Sequence, residues 1–292
     1  MAQRRPEDGL LHASSDLVSP LRFVQLRAAG APTVERPIAQ NIRLLHGTLW
    51  HEWFHNVLDE AGIDFEYEID LKEYLPDGWG GTADWLFFHP DYDAWVLGDL
   101  KTTRGEALYW IDKDGAKKEH IWQLSAYWHA LARMGRPLVK GFGIMYWPMN
   151  DTSDSVVIEP TIQECDPVPW EIIEPHMIER KALVDDYLDT LWVGKEHFPE
   201  LPTNYFQHNL APMPEREQKY YWNKTQQVFD VKLIPSWYER FCDFDEELCP
   251  RSSTEKIGHY YLTGEYKPRE GREHIAPVVG PTQAEYRKRA NG

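Results

Sequence analysis

Apolar and polar residues recur along the chain with two different periods, which predict helices and strands in turn. A stripe of apolar side chains at helical spacing runs through residues 41–62 and consists of Leu45, Leu49, Trp53 and Val57. A period of two follows in residues 63–70, where apolar side chains alternate with acidic ones. The first segment therefore predicts an amphipathic helix that ends near Gly62, and the second predicts a half-buried strand.

The following residues continue this alternation of strands and helices. Residues 82–88 and 94–103 predict two strands joined as a hairpin, and residues 119–135 predict a helix that stops at Gly135. A strand, a shorter strand and a long helix are then predicted over residues 139–147, 155–160 and 169–192. This order predicts an α/β fold with an αβββαβ core, in which a central mixed sheet is flanked by helices.

Composition divides the chain into three predicted parts. Residues 1–40 begin as a loop and are predicted to form an N-terminal segment that packs on the core, and residues 41–250 form the main domain. Within that domain, residues 198–235 contain prolines and show no clear period, which predicts irregular structure. Residues 251–292 are polar and rich in Gly and Pro, which predicts a flexible C-terminal tail.

The formal net charge of this 292-residue chain is −16. Such a charge argues against nucleic-acid binding over the whole surface. It leaves room for a local basic groove, or for an acidic site whose charge is balanced by metal ions. From Arg251 onward there are eight Lys and Arg against five Asp and Glu, so the acidic excess lies in the first 250 residues.

The sequence also indicates where such a protein works. No run of eighteen apolar residues occurs, so we expect no membrane span, and the N-terminal residues lack the apolar region of a signal peptide. Three cysteines do not make a disulfide framework. We therefore expect an intracellular, cytoplasmic protein.

One predicted strand carries the chemistry that stands out. Alternation along residues 94–103 places Asp99 and Lys101 on the same face, and Asp84 lies in the strand before it. Two carboxylates suit Mg²⁺ or Mn²⁺, and an ammonium group beside them can orient water or stabilise a phosphate oxygen. In the next helix, Gln123 and Tyr127 lie four residues apart on one face and can reach the same site.

These residues follow one another in a recognisable order. The segments GTLWH (47–51), GTADWL (81–86), GDLKT (98–102) and HIWQLSAY (120–127) resemble the RecB-like branch of the PD-(D/E)xK nuclease superfamily. The resemblance is sharp only between residues 46 and 127. It implies a restriction-endonuclease-like αβββαβ core and metal-dependent cleavage of DNA.

The resemblance also implies a role for each matching residue. The metal ligands would be His51, Asp84, Asp99 and the carbonyl of Leu100. Lys101 would orient the attacking water, and Gln123 and Tyr127 would support the site. The implied cofactor is Mg²⁺ or Mn²⁺.

Some relatives in this branch hold an iron–sulfur cluster with one early and three late cysteines. Here Ser19 stands where the early cysteine would be, and the late segment keeps only Cys242 and Cys249. Two cysteines cannot provide four thiolate ligands, so we expect no iron–sulfur cluster.

A second interpretation arises from His51, Glu52 and His55, which spell the H-E-x-x-H motif of zinc metalloproteases. The extension with a further glycine and a third histidine is absent, and a three-residue match is weak. We keep the protease as a minor alternative.

The sequence thus predicts a metal-dependent DNA exonuclease of recombination, repair or phage DNA processing, which acts on single-stranded or double-stranded ends. The preference for an exonuclease over an endonuclease comes from the resemblance alone. No nucleotide-binding helicase motif occurs, so unwinding would need a helicase or recombinase partner. A DNA-end-binding scaffold with weak or no catalysis is the main alternative.

Overall fold

The computed structural model describes nine stretches of the chain: residues 9–34, 38–103, 105–148, 159–191, 206–207, 209–235, 244, 247–250 and 253–290. The chain divides into two compact units. Unit 1 comprises Met1–Ala29 and Glu35–Gly194, and unit 2 comprises Gly30–Val34 and Lys195–Gly292.

Unit 1 contains a mixed sheet with helices around it. Its helices include α1 (Ala13–Asp16), α2 (Leu21–Ala28), α3 (Ile38–Glu60), α4 (Gly105–Asp114), α5 (Lys118–Arg133) and α6 (Trp170–Thr190). Its strands include β1 (Leu11–His12), β2 (Phe65–Asp70), β3 (Trp79–Gly80), β4 (Thr82–His89), β5 (Ala94–Thr103), β6 (Leu138–Pro148) and β7 (Thr161–Cys165).

The main sheet has the strand order β2-β4-β5-β6-β7. Strands β5 and β6 run parallel, and the other neighbouring pairs run antiparallel. Two parallel neighbouring strands must be joined by a crossover connection, and helices α4 and α5 form this connection between β5 and β6. The predicted fold class, an α/β core with a central mixed sheet flanked by helices, is confirmed.

Strand β5 is the centre of this sheet. Its residues Leu97, Gly98, Asp99 and Leu100 are all buried, although their side chains alternate between the two faces. Consecutive residues of a strand are all buried only when both faces of the sheet are covered. The protein therefore buries a carboxylate, Asp99, in the middle of its sheet.

The N-terminal segment belongs to the core of unit 1. Leu11, Leu17 and Val24 are part of the main buried cluster. Hydrogen bonds also join the segment to helix α6, since Gln25 donates to the carbonyl of Leu183 and His176 contacts that of Leu17. The segment is thus held by apolar packing and by specific polar contacts.

Helix α3 uses a different face from the one that its apolar stripe indicates. The stripe points outward, and Leu45 and Trp53 are 57% and 44% exposed. Contacts with the rest of unit 1 come mainly from Trp50, whose ring lies 4.8 Å from that of Trp147, and from Phe54, whose ring lies 5.7 Å from that of Trp85. Within the stripe, the ring of Trp53 also lies 5.4 Å from that of Trp147. A helical period identifies an apolar face but not what it contacts.

Two further segments of unit 1 bear on the local predictions. The strand expected over residues 155–160 falls mostly on residues 155–158, which lie outside the described residues, and strand β7 begins at Thr161. Helix α4 was not predicted. It has only ten residues, and a short amphipathic stretch carries little periodic signal.

Unit 2 has an antiparallel sheet of its own. Its strands are β8 (Glu217–Asn223), β9 (Val228–Ile234), β10 (Glu255–Tyr261) and β11 (Tyr266–Pro268), in the order β11-β10-β9-β8, and helix α7 (Gln283–Ala290) follows. The expectations of irregular structure over residues 198–235 and of a flexible tail over residues 251–292 are therefore corrected. In β9 and β10 the fully buried positions follow no strict period of two, and β8 has none, so the local pattern carries little strand signal.

The cysteines differ from the sequence-based expectation in one respect. Cys249 is buried and disulfide-bonded, whereas Cys165 is a free thiol. Cys242 lies outside the described residues. Counting cysteines indicates a broad class of protein but does not show which thiols meet in space.

No helix within the described ranges is both long enough and apolar enough to cross a membrane.

The central strand gives a first test of the core. Leu97→Ala should lower the free energy of unfolding by about 2–5 kcal/mol, because it removes a fully buried side chain and leaves a cavity. Ile162→Ala is the matched control on β7, where the side chain is 60% exposed, and should cost less than about 0.5 kcal/mol. Urea unfolding of both variants measures this difference, and equal effects would contradict the described core.

Candidate active site

The pairing of β4 with β5 brings two carboxylates together. The last registered pair joins Trp85 with Gly98. One position further along this antiparallel register, Asp84 and Asp99 come side by side. A hydrogen bond joins their side chains. The hairpin thus places two acidic groups side by side where the pairing of β4 with β5 ends.

Lys101 neutralises the more buried of the two acids. Its Nζ lies 2.9 Å from Oδ1 and 2.8 Å from Oδ2 of Asp99. The Asp99 side chain is 1% exposed, whereas that of Lys101 is 23% exposed. An ammonium group that reaches solvent therefore balances a carboxylate that does not.

The two carboxyl groups differ in their affinity for a proton. Burial raises the pKa of Asp84 well above its ordinary value, and the neighbouring charge of Asp99 raises it further. Burial acts in the same direction on Asp99, but the charge and hydrogen bond of Lys101 outweigh it and lower that pKa. A shared proton between the two groups therefore belongs to Asp84.

Helix α3 brings His51 to the same place. The ring of His51 hydrogen-bonds to the backbone of Leu100, and its Nδ1 lies 3.6 Å from Oδ2 of Asp84. Burial lowers the pKa of His51, and Asp99 offsets only part of that effect. The imidazole is therefore neutral at pH 7, as a metal-binding histidine must be.

Glycines of the motif are explained by the rings that lie over them. A side-chain Cβ at Gly98 would lie 2.0 Å from the Trp85 ring, and one at Gly81 would lie 2.5 Å from the Tyr127 ring. Larger residues cannot occupy these positions unless the rings move. At Gly47 the would-be Cβ lies 3.6 Å from the Thr102 hydroxyl, which is an ordinary contact, so packing does not require glycine at this position.

Gln123 and Tyr127 lie on the buried face of α5. Tyr127 forms hydrogen bonds with Gln123 and with Ser14. Burial raises the pKa of Tyr127, and the charges of Asp84 and Asp99 add to this. The tyrosine is thus a neutral hydrogen-bonding group under the carboxylates, and it supports α5 against the N-terminal segment.

The structure adds two residues that sequence reasoning did not assign to the site. His120 Nδ1 lies 2.9 Å from the Tyr146 hydroxyl, which also accepts a hydrogen bond from the Lys117 backbone. Tyr146 is the registered neighbour of Lys101 on β6. Burial, followed by the charge of Lys101, lowers the pKa of His120 to about 3.

A signal for His120 was present in the sequence. His120, Gln123 and Tyr127 occupy positions i, i+3 and i+7 of one helix, so they share a face. No comparable signal pointed to Tyr146, since only the parallel pairing of β5 with β6 places it beside Lys101.

The remaining residues of the H-E-x-x-H motif have other surroundings. Glu52 is exposed. The ring of His55 packs against Tyr67, with 4.7 Å between ring centroids, and against Phe65 at 6.2 Å. His51 and His55 therefore contact different parts of the sheet, which disfavours the protease interpretation.

The residues at this site fit a divalent metal ion in their chemistry. Oδ2 of Asp84 is buried and has no hydrogen-bond partner, although most buried carboxylate oxygens have one. No group of three His, Cys, Asp or Glu side chains in the described parts of the chain is close enough together to form a complete metal cage. A cation would have to displace the proton between the two aspartates, as metal binding commonly does.

Ser19 stands at the position of the early cluster cysteine. It is buried, and its hydroxyl donates to the carbonyl of Ser15. The residue therefore caps a local turn with a hydrogen bond.

Comparison with solved structures gives weak likenesses, among them the following two. The structure of LHK-Exo in complex with dAMP matches at a TM-score of 0.44 and 16% identity, and covers 63% of this chain and 91% of that one. The alkaline exonuclease (LHK-Exo) from Laribacter hongkongensis matches at a TM-score of 0.41 and 17% identity, with the same coverage. No protein-family model and no curated protein matches this chain.

The raised pKa of Asp84 predicts how stability depends on pH without metal. The folded protein binds the Asp84 proton more tightly than the unfolded chain, so this stabilisation is present in acid. It is lost as pH rises through the folded pKa. In EDTA, Asp84→Asn should flatten this part of the pH dependence of the melting temperature.

Asp91→Asn is the matched control, because Asp91 is exposed in the turn between β4 and β5. It should leave the pH dependence of melting as it is in the unaltered protein. An unchanged profile for Asp84→Asn would mean that Asp84 keeps an ordinary pKa in the folded protein.

Proposed function

We propose that this protein is a metal-dependent deoxyribonuclease that hydrolyses phosphodiester bonds at DNA ends. One observation carries the proposal: Asp84 and Asp99 share a buried site with Lys101, and the neutral ring of His51 reaches it from another element. Acidic oxygens for a divalent cation, next to an ammonium group, are what phosphodiester hydrolysis requires.

The proposed cofactor is Mg²⁺ or Mn²⁺. The residues that would hold it are His51, Asp84, Asp99 and the carbonyl of Leu100. A bound divalent ion supplies Lewis acidity at a phosphate oxygen and lowers the pKa of bound water.

The protein's own residues would prepare the reaction in three ways. Lys101 places a positive charge at the rim of the site, where a phosphate oxygen or a water can accept a hydrogen bond from it. Asp84, which the cation would free of its proton, would add a second carboxylate beside that of Asp99. Tyr127 and Tyr146 stay neutral and fix the helix and strand that carry the charged groups.

The exonuclease mode and the biological setting are the finer parts of the proposal. They rest on the motif resemblance, which also suggests roles in recombination, repair or phage DNA processing, and a helicase or recombinase partner. An endonuclease at the same site would have the same carboxylates and lysine. The exonuclease and endonuclease modes differ only in whether the protein cleaves circular DNA as well as linear DNA.

The first test is digestion of end-labelled linear DNA and of circular DNA, single-stranded and double-stranded, with Mg²⁺ or Mn²⁺. Asp99→Ala and Lys101→Ala should each reduce cleavage at least about a hundredfold, because each removes charge from the reacting centre. Asp91→Ala and Lys113→Ala, both on exposed side chains, should leave cleavage unchanged. An exonuclease should degrade linear DNA and leave circles intact.

Other outcomes of this assay have definite meanings. Cutting of circles would replace the exonuclease proposal with an endonuclease. Tight DNA binding without turnover in any metal, and without sensitivity to Asp99→Ala, would replace the enzyme with an end-binding scaffold.

The two histidines of α3 provide a second test. His51→Ala should raise the Mg²⁺ concentration needed for half-maximal cleavage by at least about tenfold, because a ligand is lost. His55→Ala should leave that concentration unchanged, since its ring packs against Tyr67. Cleavage titrated against Mg²⁺ measures both, and equal shifts would contradict the assignment of His51 as a ligand.

A further inference from the structure

The sheet of unit 2 has two chemically different faces. Rings on one face pack together: Tyr220 lies 6.0 Å from Tyr260, Tyr260 lies 5.2 Å from Tyr266, and Phe229 lies 5.3 Å from Tyr286 of helix α7. This face is the apolar core of the unit. On the opposite face the two ends of β9 are also buried, but the outer strands β8 and β11 carry exposed side chains, so this face is the one available for other contacts.

A row of lysines crosses that opposite face. Lys219 on β8 is registered with Lys232 on β9, and Lys232 is registered with Lys256 on β10. Neighbouring strands lie about 4.8 Å apart, so the three ammonium groups project from adjacent positions. Like charges directly opposite each other destabilise a sheet.

A second row on this face combines aromatic and basic residues. Tyr221, Asp230, His259 and Lys267 are registered across the four strands. Tyr261 lies two residues beyond His259, and its hydroxyl hydrogen-bonds to the His259 ring. We call these two rows, together with Tyr261, the lysine–tyrosine face.

Nearby acids offset the repulsion only in part. Lys219 lies 3.0 Å from Glu217, and Lys256 lies 2.6 Å from Asp230. Lys232, at the centre of the row, lies 4.8 Å from the centre of the Tyr221 ring. Within the part of the chain that the structure describes, no carboxylate pairs with Lys232.

Lys267 has similar surroundings at the other edge. Its Nζ lies 5.3 Å from the centre of the Tyr261 ring. Tyr221 is 44% exposed and the Lys219 side chain is 52% exposed. The face thus alternates accessible ammonium groups with accessible aromatic rings.

A cluster of lysines on one sheet face is unusual in a chain whose formal net charge is −16. Unit 2 contains 14 Lys and Arg against 15 Asp and Glu, whereas unit 1 contains 17 against 32. Four lysines on one sheet face therefore form a local positive surface in an otherwise acidic protein. Such a surface is complementary to a polyanion.

The positive surface continues past Lys256 into a cavity of about 620 Å³. Its charged lining consists of Arg216, Glu255, Lys256, Arg269, Glu270 and Arg272. Arg216 and Arg272 both pair with Glu255. Four basic groups against two acids leave the cavity positive, so a chain of phosphates could extend from the lysine row into it.

We infer that the lysine–tyrosine face of unit 2 binds single-stranded DNA, with its lysines on successive phosphates and with Tyr221 and Tyr261 stacked on bases. Ammonium groups interleaved with aromatic rings on an open sheet are the features that single strands recognise, because their bases are free to stack. A duplex offers phosphates but no free base faces. This inference concerns unit 2 and holds whether or not the proposed site in unit 1 cleaves DNA.

The test measures binding without cleavage. Full-length protein in EDTA, carrying Asp99→Asn, is titrated into a fluorescently labelled 30-nucleotide single strand and its duplex, and anisotropy is followed at several salt concentrations. Combined Lys219→Ser, Lys232→Ser and Lys267→Ser should weaken single-strand binding at least about tenfold. The salt slope should fall by about two, because each lost phosphate contact contributes roughly 0.7.

Tyr221→Ser separates base stacking from charge. It should weaken single-strand binding about tenfold with an unchanged salt slope, and it should leave duplex binding unaltered. Thermal unfolding of each variant checks that the sheet is intact. The lysine variant should melt no lower than the parent protein, because the substitutions relieve repulsion.

The matched control removes three exposed lysines of unit 1: Lys72→Ser, Lys113→Ser and Lys140→Ser. Its affinity for single strands should equal that of the parent. Unchanged binding by the unit 2 lysine variant, or an equal loss in the control, would overturn the inference. So would a parent protein that binds acidic polypeptide but no single-stranded DNA. Cleavage by wild-type protein is scored separately and tests only the proposed function.

Discussion

The structure depends on keeping a carboxylate, Asp99, inside a central strand. A buried charge is costly unless a partner and hydrogen bonds compensate for it, and Lys101 provides both from the same strand. The register with β4 then adds a second acid, Asp84, whose charge cannot be sustained beside the first without a proton or a cation. This arrangement is poor for stability, and such compromises are typical of functional sites.

The surrounding elements are arranged around that strand. Helix α3 brings His51 to the backbone of Leu100, and the crossover helix α5 contributes a neutral tyrosine. Tight packing of rings over Gly81 and Gly98 leaves little freedom for the hairpin. Rigid support of this kind holds charged groups in a fixed geometry, which electrostatic catalysis needs.

Electrostatics also distinguishes the two units. Unit 1 has almost twice as many acidic as basic residues, so its proposed site would rely on a divalent cation to accept a phosphate. Unit 2 is nearly balanced and gathers lysines on one sheet face. The two proposals thus describe two ways in which an acidic protein can approach a polyanion.

The sequence predicts the αβββαβ order of unit 1, which the structure confirms, and indicates the candidate residues Asp84, Asp99, Lys101 and His51, which the structure brings together. Both predictions follow from local periods and short motifs, which are properties of neighbouring residues. The sequence does not reveal the sheet of unit 2, because the fully buried positions of its strands follow no strict period of two. Only the tertiary structure placed Tyr146 beside Lys101 and turned the apolar stripe of α3 outward. Strand register and helix orientation are set by packing between segments far apart in the chain, and no local pattern encodes them.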